Sequence, residues 1–409
     1  MNGAVRHMEL DAVRGFAVMG IVLMNIFFFA MPSAAYFNPR AWGGMETPDL
    51  AAWALSFVFV EDKMRGLFLA LFGASAMLVI ERTRSRGGNG ARRHWVRMGW
   101  LLVFGLAHAV LLANNDILRL YAITGLVLPL FANLSVRGLL IWTGALLCVH
   151  LAALGYLALN WLAAHRYVLD NPEEAQILTL QERMFGVDQS AIEAQHALFT
   201  GGYGDIVASR LANVEGPLIG LAAMLPITLA GMLLGVALLR SNMLTGGWDT
   251  ARYRRWAVIG FVGGGIPLAM LAAWAFASDF AAVVIGANAL VWSAPFDMLM
   301  TVGWAALLIL TIRRFAESRL IARVAAAGRV ALTNYIGASL VLGLIFYGWG
   351  LGLFGQIGRI EAYPFAFGTM VLMLLWSKPW LAHFRYGPLE WLWRSLSRGR
   401  VEKLRGAAA

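Results

Sequence analysis

The sequence predicts an all-α, polytopic membrane helix bundle of about ten spans, with both termini cytoplasmic. Three observations carry that expectation. Hydrophobic residues make up 60% of the chain and charged residues only 14%, against about 45–50% and about 25% in a soluble domain. The apolar residues fall in blocks near the roughly 20 that a bilayer-crossing helix needs. The arginines gather in alternate loops between those blocks, the bias that marks cytoplasmic loops.

The first block, about 15–31, follows "ELDAVRG". No small-residue cleavage site follows it at a suitable place, so it reads as a retained helix that also targets the chain. Further blocks lie near 64–81, 97–113, 117–133, 138–162, 217–239, 255–276, 293–312, 329–352 and 362–381. The stretch 279–292 reads either as part of the eighth span or as a re-entrant piece. With the N-terminus inside, "ERTRSRGGNGARRHWVR", "RSNMLTGGWDTARYRR", "RRFAESRLIAR" and the tail 382–409 all become cytoplasmic. The loop 163–216 falls outside and carries many carboxylates. Its "EEAQILTLQERMFGVDQSAIEAQHALF" has helical spacing, which predicts helices lying over the outer mouth. "TPDLAAWALSFVFVEDK" predicts an amphipathic helix in the outer interface. Residues 1–409 thus form one membrane-embedded domain. The net charge of +10 is accounted for by loop placement, which argues against nucleic acid as partner. Cys148 is the only cysteine, so no disulfide framework exists.

Ionisable groups within spans are costly and each is a functional candidate. The third span ends, and the fourth begins, in "FGLAHAVLLANNDILRLYAITG". "NND" predicts a tight hairpin, which lets His108 and Asp116 approach below the outer surface. A histidine oriented by a carboxylate is a general-base arrangement. The alternative is a buried histidine satisfied by a carbonyl, with Asp116 capping the next helix. Arg119 and Tyr121 open that helix, Lys63 and Arg65 open the second span, and Asn25 lies within the first. Lys63 and Arg65 suit either an anionic substrate or interface anchoring by snorkelling. At the inner side, Asp11 and Arg14 share a helix face. With Arg329 and Asn334 they suggest a polar cluster, either a structural lock or a ligand contact. Arg93 and Arg97 suit the phosphates of a cytoplasmic ligand, although topology alone also predicts such a loop. His7, His94, His150, His196 and His383 stand apart, and no metal-ligand spacing occurs. "GFVGGG" lies inside a span, where small residues permit close helix packing.

The segments "LDAVRGFAVMGIVLMNI", "RGLFLALFGAS", "HAVLLANNDILRLYAITG", "GRVALTNYIGASL" and "YGPLEWLWR" occur in an order that resembles the YeiB-like family of bacterial inner-membrane proteins. The resemblance covers nearly the whole chain. The opening motif is similar to that of transmembrane acyltransferases, which implies acyl transfer from cytoplasmic acyl-CoA to an acceptor across the membrane, such as a cell-envelope glycan or small molecule. It implies no permanently bound cofactor. Asn25 stands near the place where acyltransferase-3 proteins carry a histidine, and an amide cannot be that base. His108 with Asp116 is then the remaining candidate, with Lys63 or Arg65 as electrostatic stabiliser. The terminal motif reads as an inner-interface clamp: Pro388 starts a helix, and Glu390 and Arg394, four apart, face one another. A small-solute transporter and a noncatalytic scaffold are the other two readings of the same polar groups. Oligomeric state is left open by the sequence.

Overall fold

The computed structural model describes residues 8–113, 115–213 and 215–405; His7 lies outside them. Among the described residues, eight helices are long and apolar enough to cross a membrane, and one sharply bent pair makes a ninth.

α1 (Met8–Ala30) is the most buried of these spans. α2 (Thr47–Phe59) and α3 (Lys63–Arg84) are parts of one 38-residue span, broken where Asp62 takes a left-handed φ of 58°. α2 runs into α3 through that break and packs against the rest of the bundle. The cause is its aromatic face: Trp53 stacks on Phe57 and meets Phe276 and Phe280 edge-on. α4 (Gly90–Leu111) starts at Asn89, whose side chain accepts from the Arg92 amide.

The fourth predicted span departs from its expected form. α5 covers only Ile117–Gly125, about 14 Å at the α-helical rise. A 3-10 turn, Leu128–Phe131, follows. Pro129 lacks an amide donor and Gly125 favours a break, which stops a longer helix here. The passage is still completed, because the helix starts beside His108 and the chain beyond it meets Arg240 through the carbonyls of Ala132 and Leu134.

α6 (Val136–Asp170) runs on well past the length of a span. α7 (Thr179–Phe185), α8 (Gln189–Thr200) and α9 (Tyr203–Ala212) then supply the helices expected in the long loop. They pack over one end of the bundle. Asn38 Nδ2 donates to the carbonyls of Phe185 and Phe280, Ser33 N donates to Gln195, and Tyr203 Oη donates to Leu111 O.

α10 (Glu215–Arg240) and α11 (Thr250–Ala277) are further spans. Gly260 of α11 sits so close to Gly303 that a Cβ there would meet its Cα at 2.4 Å, as the glycine run implied. α12 (Ala282–Ala287) continues through a π-helical turn, Asn288–Trp292, towards α13 (Ala294–Arg314). α14 (Arg319–Arg329) and α15 (Ala331–Phe346) meet at 87°, so the ninth span is α15, with α14 lying across its foot. α16 (Arg359–His383) and α17 (Pro388–Arg398) end the chain.

The arginine-rich loops share the end of the bundle where α1 begins and α17 lies. Arg313 donates to Trp248 O, Arg84 to Asn133, and Trp393 Nε1 to Arg97 O.

Candidate active site

His108, near the end of α4, is 3% exposed. Its Nδ1 lies 2.9 Å from Asp116 Oδ1, and its Nε2 lies 2.9 Å from Ser339 Oγ on α15. A carboxylate only accepts hydrogen bonds, so the neutral ring carries its proton on Nδ1 and leaves Nε2 to accept from the serine. The other carboxylate oxygen, Asp116 Oδ2, accepts from Arg119 N at 2.8 Å. Asp116 thus caps α5 and holds the imidazole at once, which unites the two alternatives the sequence posed. Arg119 Nε lies 3.5 Å from the same oxygen. Gly105, a turn earlier on α4, makes room: a Cβ there would meet Arg119 N at 2.6 Å and Asp116 Oδ2 at 2.9 Å.

Beside this group lies a cavity of about 550 Å³. Arg14, Arg82, Arg97, Arg329 and Arg394 line it, with Asp11 and Glu390. Deeper walls are apolar or aromatic: Phe68, Phe72, Leu118, Tyr121 and Tyr335. The Tyr335 ring is 5.1 Å from that of His108, and its hydroxyl accepts from Ile117 N. The cavity is therefore cationic at one end and greasy at the other, and one aromatic ring separates it from His108. Arg97 stacks on Trp393 at 4.1 Å. Arg93, paired with Arg97 in the sequence reading, is not in this wall.

The inner polar residues divide in the same region. Arg14 Nη1 is 3.2 Å from Asp11 Oδ1, and its Nη2 donates to Ser75 Oγ at 2.8 Å. Asn334 straps the α14–α15 bend: Nδ2 donates to Ala327 O and Ser377 Oγ, and Oδ1 accepts from Trp376. Glu390 does not pair with Arg394 as helical spacing suggested. Its carboxylate accepts from Leu332 N, Thr333 N and Thr333 Oγ1 at 2.7, 3.1 and 2.6 Å. The first turn of α15 has orphan amides, and they outbid a neighbouring cation. Burial pushes the Glu390 carboxyl above the usual carboxylate range, against the pull of those bonds. Arg394 instead lies over Tyr386.

Lys63 and Arg65 belong to a different layer. Lys63, 1% exposed, lies 2.7 Å from Asp297 Oδ1 and donates to Phe57 O. Arg65 lies 2.7 Å from Asp62. These acidic partners bind both cations at the α2–α3 break and away from His108. A second cavity of about 70 Å³ lies here, lined by Asp62, Arg65, Tyr121, His150 and Asp297 among others. Tyr121 stands in the walls of both cavities, and its hydroxyl donates to Arg65 O. Asn25 is half-buried and lines neither.

Apolar spans, buried polar groups and an internal cavity define a multi-pass helical membrane protein. The family model described as "Protein of unknown function (DUF418)" matches residues 238–400. "Uncharacterized protein YeiB" of Escherichia coli (strain K12) is 33% identical over 403 residues, which cover 96% of each chain. "Uncharacterized protein YxaH" of Bacillus subtilis (strain 168) is 28% identical over 94% of this chain and 92% of its own. The chain belongs to the YeiB-like DUF418 family.

Proposed function

We propose that the protein is a bacterial inner-membrane acyltransferase, moving an acyl group from cytoplasmic acyl-CoA to an extracytoplasmic acceptor, a cell-envelope glycan or a small molecule. The observation that supports this reading is the cavity that joins five arginines to an aromatic end beside His108. A donor with an anionic carrier and an apolar acyl chain matches that gradient: guanidinium groups hold phosphates in pairs, and the acyl end seeks the apolar walls. His108 acts as general base and Asp116 orients it. The arginine-rich loops around the cavity mouth support a cytoplasmic position for it. Lys63 and Arg65 take no part, since each has a carboxylate partner elsewhere.

The test is binding of acetyl-CoA and longer acyl-CoAs to the protein in nanodiscs. Saturable binding, weakened about tenfold or more by Arg97→Ala, is the expected result. Absence of binding at every chain length, with the protein monodisperse, overturns the reading.

One observation favours a second reading, transport of a small polar solute. Tyr121 is shared by the two cavities, and two spans, α2–α3 and α14–α15, are broken, as in the discontinuous helices of many transporters. Solute flux into proteoliposomes with no acyl donor present would establish it.

A further inference from the structure

Both ring nitrogens of His108 are engaged, and this limits what the base can do. Nδ1 is held by Asp116, and among the described residues the hydroxyl on Nε2 is that of Ser339 at 2.9 Å. The serine has one proton to give. Its other acceptor, Tyr335 O, lies at 3.4 Å, so the bond to the imidazole is the better one. The three side chains come from α4, the start of α5 and α15, and each is no more than 4% exposed. A carboxylate, an imidazole and a hydroxyl in this order activate a serine by removing its proton as it attacks.

Position supports the same role. Tyr335 lines the cavity and Ser339 follows it by four residues on α15, so both lie on one helix face. Ala331 and Leu332, at the foot of that helix, line the cationic part of the cavity. Ser339 therefore sits about 12 Å further along the helix axis than Ala331, beyond the aromatic end.

We propose that Ser339 is a nucleophile that carries the acyl group as an ester between donor and acceptor. This rests on the acyl-transfer reading and adds a covalent step to it. In the first half, Ser339 Oγ attacks the thioester carbonyl. The C–O bond to serine forms, the C–S bond breaks, and the serine proton passes through His108 Nε2 to the leaving thiolate. In the second half an acceptor hydroxyl or amine attacks the acyl-serine. Its proton goes to Nε2 and on to Ser339 Oγ as the ester C–O bond breaks. No oxidant, reductant or metal is required. Tyr335 is the partition that must swing aside for the acyl carbon to reach Oγ.

The test uses an alkyl fluorophosphonate, which phosphonylates activated serines without any acyl donor, on the full chain in nanodiscs. Peptide mass spectrometry locates the adduct, and free CoA released from acyl-CoA is measured in parallel. One adduct on Ser339 is expected, absent in Ser339→Ala. Labelling should slow about 10²-fold in His108→Ala, the scale of a lost general base. It should also slow in Asp116→Asn, which keeps the side-chain shape, and quicken several-fold in Tyr335→Ala. No adduct on Ser339 in either wild type or Tyr335→Ala, with CoA still released, overturns the serine relay and leaves direct transfer standing. Labelling indifferent to both His108 and Asp116 also overturns it, since the serine is then not activated by them. Adduct formation with the expected variant pattern, but no CoA release at any chain length, upholds the nucleophile and removes acyl-CoA as its donor.

Discussion

Replacing Glu390 tests how the α14–α15 break is held. Its carboxylate accepts three hydrogen bonds from the first turn of α15. Hydrogen bonds contribute about 0.5–1.5 kcal/mol each net, rising to about 1.5–3 for a charged group, and losing one partner leaves the other unsatisfied. Capping replacements by alanine cost about 0.5–2 kcal/mol. Shared geometry makes the three bonds non-additive, so Glu390→Ala should destabilise by about 2–4 kcal/mol. Glu390→Gln is the control. Its amide oxygen can still accept from Leu332 and Thr333. Its Nε2 can donate to Thr333 Oγ1, a hydroxyl with room for a second acceptor bond beside the one from Leu389 N. That variant should cost under about 1 kcal/mol. Thermal unfolding followed by fluorescence-detected size exclusion separates the two. The pH dependence supplies a sign. Burial raises the folded-state pKa of Glu390. Its contribution is therefore fully present below the unfolded pKa of about 4.3 and is lost as pH rises through the raised value. Wild type should lose stability relative to Glu390→Gln as pH climbs above about 4. Equal stability of Glu390→Ala and wild type, or equal loss in the alanine and glutamine variants, would refute the capping argument.

Lys63→Ala leaves the buried Asp297 carboxyl without its cation, a change worth about 3–5 kcal/mol. The double change Lys63→Met with Asp297→Leu should recover most of that loss in the same unfolding assay; a double variant as unstable as the single would contradict the pairing. Reporter fusions placed after residue 86 and within 175–200 should report opposite compartments, cytoplasmic for the first. Matching compartments would reject the ten-pass topology.

Period and charge made most of the helices legible. The spans near 15–31, 64–81 and 138–162 appear as long helices because each is a predominantly apolar run unbroken by proline. The fourth span misled for a local reason: "GLVLPLFA" carries no polar side chain, but Pro129 prevents the helix that hydropathy alone expects. The same contrast governs the candidate site. His108 and Asp116 are eight residues apart across a short hairpin, so their approach could be read from the chain. Ser339 lies 231 positions from His108, in an apolar run where a serine has no distinguishing pattern. Asp297 is equally remote from Lys63. Nothing in "EDKMRG" names the helix that will supply its counter-ion. Glu390 was misassigned because helical spacing sees Arg394 and cannot see Thr333, which arrives from another helix.

Tyr121 has an electrical consequence. A water-filled vestibule carries the potential of its own compartment inward as far as its deepest wall, and Tyr121 and Tyr335 form that wall. The voltage across the membrane then falls over the remaining depth of the bundle, a thinner insulator than the helices are tall. Moving one charge through the full drop is worth about 2.3 kcal/mol per 100 mV. Groups just beyond Tyr121, including Asp62, Arg65 and Asp297 around the smaller cavity, sit where that field is concentrated.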